Sequence, residues 1–149
     1  MKNLLTSLLC LATFTAWGQT DILDARTNYS VGQTVTVTGI VTSDGNLGIV
    51  RYLQDETAGI ALYPGGQWTQ NSWPDPQPGD ELTMTGALSE YNGLLEVGPD
   101  GITNVTVLST GNELPAFQTI TPNDMNESME GELAYIPDVV FTNGGTMIN

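Results

Sequence analysis

Gly32-Gln-Thr-Val-Thr-Val-Thr-Gly-Ile-Val-Thr42 and Gly79-Asp-Glu-Leu-Thr-Met-Thr-Gly-Ala-Leu-Ser89 carry one pattern twice. Each opens on Gly and a polar residue, then alternates apolar and hydroxyl positions. Each places a second Gly, Gly39 or Gly86, seven residues after the first. Strict alternation marks a strand with one buried and one solvated face. A Gly inside such a strand marks a bulge or a sharp bend. Strands bent in this way and joined by short turns curl into a small barrel.

The flanking sequence supplies the remaining strands. The first strand spans Thr34 to Thr42, with Val35, Val37 and Val41 as core candidates. Ser43-Asp-Gly-Asn46 is a turn, because these residues tolerate left-handed geometry. A second strand runs from about Gly48 to Gln54, and Asp55-Glu-Thr-Ala-Gly59 turns the chain into a third, Ile60 to Tyr63. Pro64 to Pro78 is a long loop bearing Trp68 and Trp73. It shows no helical pattern and is expected to plug one end of the barrel. The fourth strand is Glu81 to Glu90, Tyr91-Asn-Gly93 is a hairpin turn, and Leu94 to Val97 and Ile102 to Leu108 complete the set. The expected architecture is all-β. It is a five-stranded Greek-key barrel of the oligonucleotide/oligosaccharide-binding (OB) type, preceded by a short helical turn over Thr20 to Thr27. Thr20 is expected to cap that turn, and Ile22, Leu23 and Ala25 to face inward.

Three segments follow. Residues 1–18 read as a secretory signal peptide: Lys2 gives the positive start, and Leu4 to Ala12 is an apolar run too short for a lasting membrane anchor. Ala16-Trp17-Gly18 places small residues before a cut. Cys10 has Leu9 before it and more apolar sequence after it, which disfavours lipidation. The barrel takes residues 19–110. Residues 111–149 are read as a linker, a short helix starting at Thr121-Pro-Asn-Asp124, and a strand within Glu130 to Phe141. Placing Gly131 on Gly32 sets Val140 on Val41, so this tail looks like the opening of a second barrel. A first strand by itself cannot bury its apolar face. It must dock on the barrel, pair with another chain or stay loose. The expected address is outside a bacterial cell, with no membrane contact after the leader is removed and further domains of a longer polypeptide as partners. Asn28-Tyr-Ser30, Asn104-Val-Thr106 and Asn126-Glu-Ser128 match the glycosylation pattern, which has no bearing on bacterial export.

Composition narrows the chemistry. Formal charge is −14, from 17 acids against Lys2, Arg26 and Arg51. Binding to nucleic acid by neutralising phosphates is thereby starved of cations. Such acidity serves solubility, or alternatively a calcium-binding surface. With no His, and no Cys beyond position 10, imidazole- or thiolate-based nucleophile pairs and zinc sites are excluded. The sole Lys lies at position 2, and no phosphate-cradling Gly loop is present. Asp55/Glu56 and Asp80/Glu81 are adjacent pairs whose members point to opposite sides of a strand and form no acid/base dyad. No catalysis and no cofactor is expected. Asp44, Asn46, Asp55 and Glu56 could offer oxygens to calcium from two loops, although turn chemistry explains them equally.

Barrels of this type bind ligands on the face of strands two and three. With Leu53 and Ile60 inward, Tyr52, Gln54, Ala61 and Tyr63 point outward, and Trp68, Trp73 and Tyr91 frame the surface. Flat rings stack on bases or sugars. Arg51 is the nearby cation, though alternation turns it to the other side. The competing reading is that these rings simply close the barrel ends as core and rim.

A family resemblance rests on Ile22-Leu-Asp-Ala-Arg26, Gly32 to Thr42, Arg51-Tyr-Leu-Gln-Asp-Glu-Thr-Ala-Gly-Ile-Ala-Leu-Tyr63 and Pro78-Gly-Asp-Glu-Leu-Thr-Met-Thr-Gly86. The chain resembles the OB-fold domains of large secreted nucleases and other multidomain extracellular proteins of bacteria, especially of Bacteroidetes type. The resemblance covers roughly residues 20 to 110. It implies a nucleic-acid-binding-type module that sits beside a separate metal-dependent nuclease domain. The ligand it implies is single-stranded nucleic acid, and the acidity of this chain departs from that expectation. An adhesive or structural domain that contacts an oligosaccharide or neighbouring modules is the alternative, since a sugar needs rings and polar partners but no positive charge.

Overall fold

A computed structural model describes residues 18–140; the leader read over residues 1–18 lies outside that range apart from Gly18. The chain forms α1 (Ile22–Asn28), β1 (Thr34–Val41), β2 (Arg51–Gln54), β3 (Gly59–Leu62), β4 (Glu81–Tyr91), β5 (Leu94–Val97), β6 (Asn104–Ser109) and the two short strands β7 (Gln118–Thr119) and β8 (Ala134–Tyr135). Among the described residues, no helix is long and apolar enough to cross a membrane.

The six main strands run in the order β1-β2-β3-β5-β4-β6, and β1 also pairs with β4, which closes the sheet. β3 and β5 are parallel, and every other pairing in the barrel is antiparallel. β5 and β6 lie along the same edge of β4. Val97 pairs with Leu88 and Asn104 with Thr85, while the excursion between them stays tied through Gly98 N–H to the Ala87 carbonyl and Thr103 N–H to the Thr85 carbonyl. Together they make one interrupted ribbon, so the molecule is a closed five-strand Greek-key barrel of OB type, as the sequence leads one to expect.

The two repeated stretches become neighbours. Residues 34–40 of β1 pair with residues 81–87 of β4. Their hydroxyl positions meet across the ladder, Thr36 with Thr85 at 2.9 Å and Thr38 with Thr83 at 2.5 Å. Their apolar positions point inward. Val35, Val37, Val41, Leu82, Met84 and Leu88 join Leu53, Ile60, Leu62 and Val97 in one core. Each such side chain contributes about 1.5–3 kcal/mol by leaving water.

The barrel is capped at both ends of β2. At the Gln54 end α1 inserts Ile22 and Ala25, both fully buried. Leu23, expected inward, is 48% exposed, because a helix of two turns turns only one narrow stripe to the barrel. Thr20 is not the cap; Asp21 precedes the helix and makes no side-chain cap bond, while the Thr20 N–H joins the Thr36 carbonyl at 2.8 Å. At the Arg51 end the Pro-rich loop drives Trp68 into the core, where its indole N–H meets the Ile49 carbonyl at 2.7 Å.

Beyond β6 the expected helix does not form. Asp124 turns back to accept from the Thr121 N–H and hydroxyl, and only a 3-10 turn, Glu127–Met129, appears, capped by Asn126. Within residues 130–140 the expected strand is reduced to Ala134–Tyr135, which pairs in parallel with Gln118–Thr119 and sets Tyr135 against Phe117 with ring centres 5.5 Å apart; the rest of the tail, from Phe141 on, lies outside the described residues.

Gly39 marks the corner of the barrel. Its neighbour Ile40 pairs with Glu81 on one side and Gln54 on the other, and a Cβ at position 39 would stand 2.6 Å from the Gln54 carbonyl oxygen. Gly39→Ala is therefore expected to lower unfolding free energy by about 1–3 kcal/mol through forced backbone displacement, measurable as a lower urea midpoint with an unchanged slope.

Candidate functional site

The pairing register decides which side chains face outward. Tyr52 lies opposite Ala61, Gln54 opposite Gly59, and Ala61 opposite Glu96. These form the outer surface of β2, β3 and β5, and Leu53, Ile60, Leu62 and Val97 form the inner one. Arg51, opposite Leu62, turns to the inner side and is 3% exposed. Its guanidinium donates to the carbonyls of Gly48, Ile49, Val50 and Pro76 and meets Asp75 Oδ1 at 2.7 Å. Arg51 thus holds two irregular segments onto the barrel end and presents no free charge to a ligand.

The expected ring platform is divided. Trp68 is interior. Tyr63 and Trp73 are half-buried and share a shallow cleft of about 590 Å³ with Pro64, Pro99 and Ile102. Tyr52 lines a separate groove beside Leu47 and Leu94, walled by Met125 and Ile136 of the tail. Tyr91 stands 68% exposed at the β4–β5 hairpin. Gln54 is buried.

What covers Gln54 is the tail. Leu133 N–H donates to Gln54 Oε1 at 2.9 Å. Arg26, on α1, reaches across the edge of β3. Nη1 donates to the carbonyls of Gly59 (2.8 Å) and Glu130 (2.5 Å), and Nη2 donates to that of Glu127 (2.6 Å). Gly59 and Gly131 touch backbone to backbone, so a Cβ on Gly59 would overlap the Gly131 carbonyl. The Glu130 carboxyl lies 3.9 Å from Arg26 Nη2. Its burial, together with the charge of Glu127, pushes it above the usual carboxyl range, while the Leu95 N–H and Arg26 pull the other way. On the same outer surface, burial raises the Glu96 carboxyl, opposed by the nearby Ser89 hydroxyl. Arg26 closes the Ile22-Leu-Asp-Ala-Arg26 stretch that carries part of the family resemblance, but it is not among the candidate site residues. It meets Glu130 across a separation of 104 positions, and no local pattern signals such a contact.

The oxygen-bearing loops are engaged in turn formation. Asp44 accepts from the Asn46 backbone and side-chain amides, both at 2.8 Å. Asp55 Oδ2 accepts the Ile22 N–H at 2.8 Å, and Oδ1 accepts from Thr57 N–H, the Thr57 hydroxyl and Ala58 N–H. Asp55 and Glu56 line a groove of about 730 Å³ with Glu81, Glu113 and Glu132. Among the described residues, no group of three or more acids is placed to hold a metal ion.

Comparison with known proteins adds a relative. No family model matches the chain. It is similar to the endonuclease YhcR of Bacillus subtilis, with 30% identity over 106 residues, which is 68% of this chain and 8% of that protein. The chain therefore spans a small part of that relative's length. Among solved structures, the hypothetical protein YgiW of E. coli superposes with a TM-score of 0.44 at 15% identity, covering 61% of this chain and 90% of that one. An OBody bound to hen egg-white lysozyme superposes at 0.38 and 18%, covering 54% and 83%.

Asp55 links α1 to the β2–β3 turn, and its titration gives a test. Burial works to raise its carboxyl, but the hydrogen bonds from Ile22, Thr57 and Ala58 outweigh it and hold the group below the usual aspartate range. A group lowered on folding adds stability above its unfolded pKa and loses it as pH falls through the folded one. Asp55→Ala is expected to cost about 1–3 kcal/mol at pH 7. In urea titrations the gap between variant and wild type should narrow as pH drops below the unfolded value.

Proposed function

We propose that this chain is a noncatalytic OB-fold module of a longer, exported, nuclease-type bacterial protein, and that it holds single-stranded nucleic acid for that protein. The observation that carries the reading is the coincidence of an OB strand order with similarity to a small portion of an endonuclease. A shared segment of that size is a module, not a whole enzyme. The acid pairs support a noncatalytic role. The Asp55 carboxylate is filled by donors, Asp80 accepts from the Gln77 N–H, and Glu81 accepts from the Ser109 hydroxyl.

Binding of this kind relies on stacking, because both guanidiniums beyond the leader are engaged with carbonyls and carboxylates. The Tyr63–Trp73 cleft is the open pair of rings, and stacking on aromatic side chains is tolerant of base identity. An oligosaccharide is the second reading, favoured by the same lack of a free cation beside those rings.

Titration with oligothymidylate at low salt, followed by tryptophan fluorescence, tests the first reading. Quenching is expected, with a shallow salt dependence. Trp73→Ala is expected to weaken binding by about 1–3 kcal/mol. No quenching at high micromolar strand, together with glycan-array binding, would replace nucleic acid with sugar.

A further inference from the structure

The outer surface of β2 and β3 is where an OB barrel takes its ligand, and here a segment of the same chain lies across it. We propose that residues 127–133 form a strap that opens as a unit, separately from the barrel, and that its opening uncovers the surface of Tyr52, Gln54 and Gly59. The proposal rests on the OB-module reading for the use of that surface, and on the contacts alone for the strap.

Two observations carry it. The first is that the seat is built for a polypeptide. Arg26, 10% exposed at its side chain, gathers the Glu127 and Glu130 carbonyls with that of Gly59. Gln54 supplies an acceptor for the next free amide, that of Leu133. Gly59 and Gly131 permit a backbone approach that no other residue pair would. A guanidinium reading carbonyls, an amide reading an N–H and a bare glycine crossing together recognise an extended peptide main chain.

The second is an asymmetry of burial. Gln54 and Gly59 beneath the strap are buried, whereas residues 129–133 of the strap are half-buried and no residue between 111 and 140 is fully buried. Met125, Phe117 and Tyr135 around it are each more than half exposed. A segment that is at most half-buried and is held by hydrogen bonds at its edge has low local stability, and such segments open without global unfolding. The strap contributes little to the core, yet it lies over the outer surface of β2 that adjoins the open Tyr63–Trp73 side of the barrel.

Hydrogen exchange on the full chain decides the strap. The Leu133 amide is expected to be protected in wild type. In Arg26→Met and in Gly131→Val it should exchange about tenfold faster or more, while the amides of Val37, Leu53 and Met84 keep wild-type rates. Gly131→Val changes a residue outside the barrel, so it remains informative if Arg26→Met fails to fold. A Leu133 amide already unprotected in wild type would overturn the proposal. So would loss of protection at Leu133 and the barrel amides together in Gly131→Val. A parallel oligothymidylate titration separates the two readings. Tighter binding by Gly131→Val that Tyr52→Ala abolishes supports ligand use of the uncovered surface. Absence of binding in both wild type and variant removes nucleic acid as the ligand and leaves the strap to be judged by exchange.

Discussion

The barrel closes because β1 serves two neighbours at once, and the handover between them occurs at a residue without a side chain. Along Thr34 to Ile40 the strand pairs with β4; by Ile40 it has also met β2. Gly39 lets the Gln54 carbonyl come closer than any Cβ would allow. From that approach follow the curl of the sheet, the inward set of valines, and the position of the β2–β3 turn. Asp55 then stands where the first N–H of α1 can be answered by its carboxylate. The residue before the helix, Asp21, makes no side-chain cap bond, and the next N–H, that of Leu23, is answered by the Thr57 hydroxyl from the same turn.

The second organising force is the use of guanidinium groups as carbonyl clamps. In a chain this acidic, the simple expectation for an arginine is a place among carboxylates on the surface. Instead Arg51 collects three successive carbonyls and a proline carbonyl, with Asp75 as counter-charge, and Arg26 collects three from two distant segments. Burying such a group is costly unless nearly every donor is met, and the planar fork of arginine meets several at once. Each clamp compensates for the lack of regular structure near it: β2 begins only at Arg51, and the tail has two strands of two residues each.

These patterns differ in how far the sequence announces them. Alternation with an inset Gly is a local signal, so β1 and β4, their core valines and leucines, and the barrel itself could be read directly. The plug formed by Trp68 followed from a Pro-rich loop with no helical period. The tail was misleading because capping residues at Thr121 and the match of Gly131 to Gly32 are weak priors that tertiary contact overrides. The Asp124 carboxylate turned back on Thr121, and the Gly131 backbone was drawn to Gly59. The ring platform divided for a related reason. Alternation places Tyr52 and Tyr63 on the outside, but it does not say that a segment almost 80 residues downstream will lie between solvent and one of them.

The burial of both arginines also shapes the encounter with proteases. Enzymes that cut after basic residues need an exposed, extended peptide around the cleavage point. Beyond Lys2 the chain offers only Arg26 and Arg51, one within a helix and the other within a central strand, each side chain nearly sealed from water. In its folded state the barrel is therefore closed to trypsin-like digestion, whatever the length of its loops.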